Sequence, residues 1–184
     1  MLKLAYTYKE QLNNTYQEIV FQKKYRYYNY ASWWNYDINV EDNSWNNISM
    51  ISIDISNNIL GYFNADINRS SNKVSSLGIM NFVDKNNIIF SKDMYKFIID
   101  LFIKFNMRKI EFGVVIGNPI EKMYDKYVTK YGGKIMGISK EAIKLDDDCY
   151  YDVKYYEIFK KDFMYNFKRI IKHISANNKI NKNT

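Results

Sequence analysis

The spacing of apolar residues changes early in the chain from a helical to an alternating period. Residues 9–30 carry apolar side chains at helical spacing, which predicts a first helix. Residues 31–47 follow no period. Alternation then predicts a hairpin of two strands, at 48–55 and 59–67, and a third strand at 73–82.

The second half of the chain switches between helical and extended patterns. Ser91 is a candidate cap for a helix whose apolar stripe ends at Phe105. A strand over 108–116 follows, and its nearly continuous apolar end predicts burial on both faces. Pro119 suits the first position of the next helix, and Gly132 suits its end. Two strands, at 134–145 and 150–159, and a basic helix or tail complete the order.

This order of elements predicts a single α/β domain. A strand–helix–strand–helix unit after a meander of strands is typical of layered folds with a mixed sheet. We expect the domain to span residues 1–160, and residues 161–184 to form a basic C-terminal helix and tail. Gly78, inside the third strand, indicates a bulge or a close approach of another backbone.

Metal ligands and nucleophiles are scarce in this chain. It has one cysteine, Cys149, and one histidine, His173. A structural zinc site needs four Cys or His ligands, and a Ser or Cys nucleophile would have to work with His173 in a polar tail, so the sequence argues against both kinds of site. We expect Cys149 to be a small strand residue. Because no signal peptide and no apolar run of membrane-spanning length is visible, we expect a cytoplasmic protein that contacts no membrane.

Positive charge is concentrated at the C-terminus. The net charge is +7, and residues 160–184 contribute +6 of it, seven basic residues against the acidic Asp162. The basic residues are Lys160, Lys161, Lys168, Arg169, Lys172, Lys179 and Lys182. A solvated tail explains this distribution, and nucleic-acid binding through the tail is the alternative.

The C-terminal two-thirds of the chain resembles the GNAT acyltransferases. Gly61-Tyr62-Phe63 is similar to a strand in which these proteins have Ile or Val before Gly. Gly117-Asn118-Pro119 at a strand end, then Tyr124, then Tyr131-Gly132-Gly133, resembles the second half of the family signature. The resemblance implies a mixed, mostly antiparallel twisted sheet of about six to seven strands with flanking helices. It also implies an acyl-CoA-dependent N-acyltransferase.

The same resemblance assigns acetyl-CoA, as a co-substrate, to the third strand and to the loop and helix that follow it. Backbone N–H groups of a loop and of a helix N-terminus bind pyrophosphate without a positive side chain. The loop at 83–90 departs from the family pattern Gln/Arg-x-x-Gly-x-Gly/Ala because it contains no glycine. The implied cofactor-binding residues are Ile79, Met80, Asn81, Phe82, Lys85, Asn86, Asn87, Ser91, Lys92 and Asn118.

A tyrosine is the general acid that the resemblance implies. In the family, a tyrosine on the helix after the Asn donates a proton to the departing CoA thiolate, and Tyr124 matches that position. It lies six residues after Asn118, one fewer than usual, so Tyr127 is the alternative.

A protonated amine acceptor also needs a base before it can attack. Asp54, Asp66 and Asp84 are the candidate carboxylates on or beside the central strands, and we name Asp84 with Tyr124 as the predicted catalytic residues. Glu111 lies at a strand position that does not favour this role. A backbone N–H within 79–81 would stabilise the tetrahedral intermediate.

The predicted function is acetyl transfer from acetyl-CoA to an amine: a protein lysine, a protein N-terminus or a small amine. No metal is expected. One alternative is a non-catalytic GNAT-like module that binds a protein partner, which the glycine-free loop favours. The other is a nucleic-acid-binding protein that uses the tail and the aromatic, basic run at 23–30.

Overall fold

A seven-stranded sheet carries helices on both faces. The computed structural model describes residues 1–28, 36–41, 45–83 and 87–180, with side chains as far as residue 170. Its strands are β1 (Leu2–Leu4), β2 (Asn47–Ile53), β3 (Ile59–Asn68), β4 (Lys73–Asn81), β5 (Lys109–Val115), β6 (Lys134–Lys144) and β7 (Tyr150–Phe159). Its helices are α1 (Lys9–Ile19), α2 (Ile88–Ile103), α3 (Glu121–Lys130) and α4 (Lys160–Ile180), with short 3-10 helices at Ala5–Tyr8 and Lys23–Tyr28.

The strands lie in the order β1-β2-β3-β4-β5-β7-β6. Neighbouring strands are antiparallel except β4 and β5, which are parallel because α2 connects them. The predicted mixed, mostly antiparallel sheet with flanking helices is therefore confirmed. The sequence pattern does not predict β1, because three residues are too few to show a period.

The two main hydrophobic cores lie on opposite faces of the sheet, and a small third cluster joins Val115, Leu145 and Val153. The larger core packs α2, α3 and the start of α4 on one face, and aromatic rings fill it. Phe102 and Phe163 lie there with ring centroids 4.7 Å apart. The smaller core packs α1 on the other face, with Leu12 and Met80 among its buried residues. The sheet therefore has an α2 face and an α1 face, and these two names are used below.

The first helix is shorter than its apolar pattern predicts. It ends at Ile19, and Gln22 N donates to Ile19 O, a tighter bond than the α-helical one. The chain continues as the 3-10 helix Lys23–Tyr28, which buries Tyr25 in the smaller core. The prediction of a single helix over residues 9–30 is therefore wrong, because the α-helix ends at Ile19 and residues 23–28 form a separate 3-10 helix. Residues 29–30 lie outside the described part of the chain.

Two predicted helix starts are also displaced. Asn87, not Ser91, caps α2: its Oδ1 accepts hydrogen bonds from Ile89 N and Phe90 N. The helix starts early because Phe90 already belongs to its buried stripe. Pro119 precedes α3 instead of opening it, because Glu121 N bonds to Asn118 O across a turn that contains the proline. The predicted end is confirmed, since Gly132 has the positive φ of 77° that suits a helix stop.

Cys149 lies in the exposed β6–β7 turn and not in a strand, because its carbonyl accepts a turn hydrogen bond from Leu145 N. At the C-terminus, α4 follows β7 directly, and its first turns pack Phe163 into the larger core. The division into residues 1–160 and 161–184 stays a prediction. No helix in the described ranges is both long and apolar enough to cross a bilayer.

Candidate active site

A gap opens in the middle of the sheet between β4 and β5. The two strands pair at Lys73–Lys109 and Val74–Ile110 and then diverge. The register between β3 and β4 shifts at Asp66, which leaves Ser75 as an extra residue in β4. The bulge that the sequence predicts near Gly78 is therefore three residues earlier, where β4 starts to leave β5.

The β4 edge that faces this gap has free backbone positions. Phe82 N donates to Leu60 O at 2.9 Å, so Phe82 faces β3. In an antiparallel pair, the backbone N–H and C=O groups of alternate residues point toward the partner strand. Those of Met80 and Gly78 therefore also point toward β3. The backbone groups of Ile79 and Leu77 consequently point toward the gap, where β5 is no longer paired.

The gap forms the floor of a cleft with a volume of about 440 Å³. Side chains of β4 and β5 alternate between the two faces of the sheet, so the cleft has two sides. Its α2-face side includes Leu77, Ile79, Phe112 and Tyr124. Its α1-face side includes Tyr27, Tyr28, Ser76, Gly78, Glu111, Gly113, Met136, Ile143, Val153 and Tyr155.

Tyr124 and Tyr127 have different surroundings on α3. Tyr124 lines the cleft and meets the Phe112 ring edge-on, with centroids 5.1 Å apart. Tyr127 does not line the cleft; together with Tyr124 it borders a small apolar void of about 10 Å³ in the interior. Its buried hydroxyl has no hydrogen-bond partner, and burial raises its pKa. Of the two candidate acids, the structure places only Tyr124 on the cleft.

A polar cluster beside Tyr124 attaches α3 to β7. The Tyr156 hydroxyl donates to Asp125 Oδ1 at 2.7 Å, and this bond, followed by one from Lys154, holds the pKa of Asp125 below its usual range. Lys154 also pairs with Glu121, whose other oxygen accepts from Gly117 N at 3.1 Å. These contacts fix the helix that carries Tyr124 to the strand next to β5.

A ladder of charged side chains crosses the sheet at the closed end of the gap. Glu111 pairs with Lys73 on β4 and with Lys109 on its own strand. Lys109 continues to Glu157 on β7 at 2.9 Å, and Glu157 reaches Lys134 on β6 at 3.0 Å. Burial raises the pKa of Glu111, but hydrogen bonds from Lys109 and Lys73 outweigh it and lower that pKa. The Glu111 carboxylate is therefore ionised and paired with two lysines.

The 3-10 helix Lys23–Tyr28 closes the α1-face side of the cleft. Its Arg26 pairs with Asp146 at 2.8 Å and with Asp147 at 2.6 Å, both in the β6–β7 turn. Hydrogen bonds from Tyr151 and from Arg26 hold the pKa of Asp147 well below its usual range. This contact positions Tyr27 and Tyr28 over the cleft.

The predicted acetyl-CoA residues are spread over three environments. Ile79 and Asn118 line the cleft, and Met80 and Phe82 lie in the smaller core. Asn81 accepts from Val83 N. The remaining described ones are at the start of α2, where Asn87 is the cap and Ser91 and Lys92 are exposed. Lys85 and Asn86 lie outside the described residues.

The predicted base candidates also differ in their surroundings. Asp54 caps the β2–β3 turn, and hydrogen bonds led by that from the Asn58 side chain lower its pKa. Asp66 accepts from Asn47 and Asn64 at the exposed end of β3. Asp84 lies outside the described residues. No group of three or more metal-ligating side chains occurs in the described ranges.

Comparison with known proteins identifies the fold. No protein-family model matches the chain, and a search of curated proteins gives no match. Among solved structures, spermidine N-acetyltransferase from Vibrio cholerae in complex with CoA and spermine aligns with a TM-score of 0.63 and 16% identity, covering 89% of this chain and 97% of that chain. The spermidine/spermine N-acetyltransferase SpeG from the same organism, in complex with manganese ions, aligns with a TM-score of 0.56 and 19% identity, covering 66% and 69%. The chain therefore has the GNAT fold that the sequence resemblance implies.

Proposed function

We propose that this protein is an N-acetyltransferase that moves an acetyl group from acetyl-CoA to a small amine. The observation that carries the proposal is the gap between β4 and β5, because it presents unpaired backbone groups of β4 inside a cleft that also contains Tyr124. The Vibrio cholerae enzyme of the same fold binds CoA and spermine, which supports both the cofactor and a small amine as acceptor.

In the proposed reaction, the acyl thioester lies along the open edge of β4. The N–H of Ile79 or Leu77 donates to the thioester oxygen and stabilises its negative charge in the tetrahedral intermediate. The amine nitrogen, after losing one proton, attacks the carbonyl carbon and forms the C–N bond. The C–S bond then breaks, Tyr124 gives a proton to the thiolate, and the amide nitrogen releases its extra proton to water.

The pyrophosphate of CoA would bind at the start of α2, as the resemblance implies. Helix N-termini favour anions because their first N–H groups lack helical partners. The Asn87 side chain already accepts from two of these groups, Ile89 N and Phe90 N, so a bound phosphate would take its place there. Lys92, exposed in the first turns of α2, would add positive charge.

Calorimetry with acetyl-CoA, followed by a thiol-release assay with a panel of amines, tests the proposal. We expect binding heat, and a rise in melting temperature that grows with acetyl-CoA concentration, because a ligand of the folded state stabilises it by mass action. Free CoA should appear only when an amine is present. No heat and no stabilisation at millimolar acetyl-CoA would reject the proposal. Binding without transfer to any amine would instead favour the non-catalytic alternative.

A further inference from the structure

The α1-face side of the cleft has an aromatic and aliphatic lining. Three tyrosines line it: Tyr27 and Tyr28 of the 3-10 helix, and Tyr155 of β7. Burial raises the pKa of Tyr28 to about 12, so its hydroxyl stays neutral at physiological pH. Aliphatic side chains complete the wall: Met136, Ile143 and Val153. We call these six residues, together with Gly78, the acceptor pocket.

Resting on the acetyltransferase function proposed above, we infer that the acceptor is an amine with one positive charge on a compact aromatic or aliphatic body, and not a polyamine. Such an acceptor would distinguish this protein from the spermidine N-acetyltransferases that share its fold. Two features of the pocket favour it: the shape of the floor and the charges around it.

The floor of the acceptor pocket is open at Gly78. A Cβ added there would meet only Asn64 Cβ, at 3.6 Å, whereas a Cβ at Gly113 would meet Val153 and the Tyr155 ring at 3.0 and 3.1 Å. The space above Gly113 is therefore filled by side chains, and the space above Gly78 is available to a ligand. Gly78 also precedes Ile79, whose N–H points into the gap, so a group above Gly78 lies next to the proposed thioester.

The charges around the pocket are already compensated. Glu111 is the one charged residue among those described that line the cleft, and Lys73 and Lys109 hold it. A polyamine would bring several positive charges into this lining, whose described residues offer no free carboxylate to receive them, and unpaired charges are costly to desolvate. A single ammonium on an apolar body loses far less hydration, and tyrosine rings attract it as it enters.

The apolar pocket also assists the chemistry. Moving an ammonium out of water favours its neutral form, so the pKa of the bound amine falls. The neutral amine is the nucleophile that attacks the thioester. An acceptor of this class therefore depends less on a protein base to remove its proton. This is consistent with Asp54, whose carboxylate accepts hydrogen bonds within a turn, and with Glu111, whose carboxylate is paired with lysines.

Steady-state kinetics with matched amines tests the acceptor class. Phenethylamine, tyramine and hexylamine are compared with spermidine and spermine at saturating acetyl-CoA. We expect kcat/KM for phenethylamine to exceed that for spermidine by at least about tenfold, the equivalent of about 1.4 kcal/mol. Equal or higher kcat/KM for spermidine would overturn the inference while leaving the acetyltransferase function intact. No transfer to any of the five amines would reject both.

Two variants test the location of the pocket. Gly78→Leu should raise KM for phenethylamine by about tenfold or more while the Kd of acetyl-CoA stays the same, because the new side chain fills the pocket floor. Gly78→Ala is the matched control and should have a smaller effect. Tyr155 is 44% exposed, so we expect the Tyr155→Ala variant to fold. This variant should also raise KM for phenethylamine more than for spermidine. Unchanged amine KM in both Gly78→Leu and Tyr155→Ala would place the acceptor elsewhere.

Discussion

The two edges of β5 differ in how far they are paired. Toward β7, the strand pairs along its whole length, from Lys109–Phe159 to Val115–Val153. Toward β4, pairing ends after two residues. Backbone N–H and C=O groups in a sheet interior are normally all paired, because leaving them unpaired is costly. At an open edge in the middle of a sheet, a ligand can form the missing hydrogen bonds to the backbone. The closed edge toward β7 has its hydrogen bonds already and contributes to stability.

Both edges begin at the same side-chain ladder. Lys73, Glu111, Lys109, Glu157 and Lys134 run across β4, β5, β7 and β6 at one end of the strands. Above this ladder β7 follows β5, but β4 bends away at the Ser75 bulge. The candidate site therefore depends on a local change in β4, and not on a different kind of strand at β5.

The largest effect expected on either side of β5 is a loss of folding stability when the closed side is crowded. A Cβ at Gly133, just before β6, would lie 2.6 Å from Glu157 O, which is a backbone atom that cannot turn aside. We expect Gly133→Ala to lower the free energy of unfolding by about 3 kcal/mol, and Gly78→Ala on the open side to change it by less than about 0.5 kcal/mol. Urea unfolding measures both, and equal losses would contradict the distinction between the two sides.

The next effect concerns turnover at the open edge. Tyr124→Phe should lower kcat by about 10²-fold with the Kd of acetyl-CoA nearly unchanged, because in the proposed reaction the hydroxyl acts only once the sulfur carries negative charge. Tyr127→Phe is the matched control on the same helix. It should leave kcat unchanged and slightly stabilise the fold, because it removes a buried hydroxyl without a partner. A larger kcat loss in Tyr127→Phe would show that the family position is Tyr127.

A smaller effect is expected from the ladder that joins the two edges. The pKa of Glu111 lies below its ordinary 4.5, so its stabilising contribution is complete above that pH and is lost as the pH falls through the lowered value. Glu111→Gln should cost about 1–2 kcal/mol at pH 7, for a partly buried pair. The difference from the wild type should shrink at pH 3. A difference that persists there would mean that packing, not charge, is lost.

Much of the fold could be predicted because its signals are local. The alternation in β2 and β3, the stripe of α2 and the Gly132 stop each depend on a few adjacent residues, and they appear within a few positions of their predicted places. The errors arose where tertiary contacts decide. Asn87 replaces Ser91 as a cap because Phe90 is already in the core, and α1 ends early because Tyr25 packs in a separate turn.

The site was only partly visible in the sequence. The family signature points to Tyr124 and Asn118, and both line the cleft, but the proposed acceptor pocket comes from three distant segments. Tyr28 and Tyr155 are 127 positions apart, and no local pattern links them. One overlooked signal existed for the ladder: Lys109 and Glu111 alternate on one strand face, which predicts cross-strand partners of opposite charge such as Glu157.

The smallest effect is expected at the end of α4. The helix contributes to the larger core through Phe163, which is 1% exposed and packs against Tyr131 with ring centroids 4.9 Å apart. Residues from 177 onward are polar apart from Ile180 and show no apolar stripe, so their deletion should change the melting temperature by no more than about 1 °C. Phe163→Ala, the contrasting variant, should cost about 3–5 kcal/mol through the cavity that it leaves. Differential scanning calorimetry on both proteins measures this contrast. A fall of several degrees on deletion would show that the terminal residues dock on the body of the protein, and that the boundary of the folded domain extends beyond residue 176.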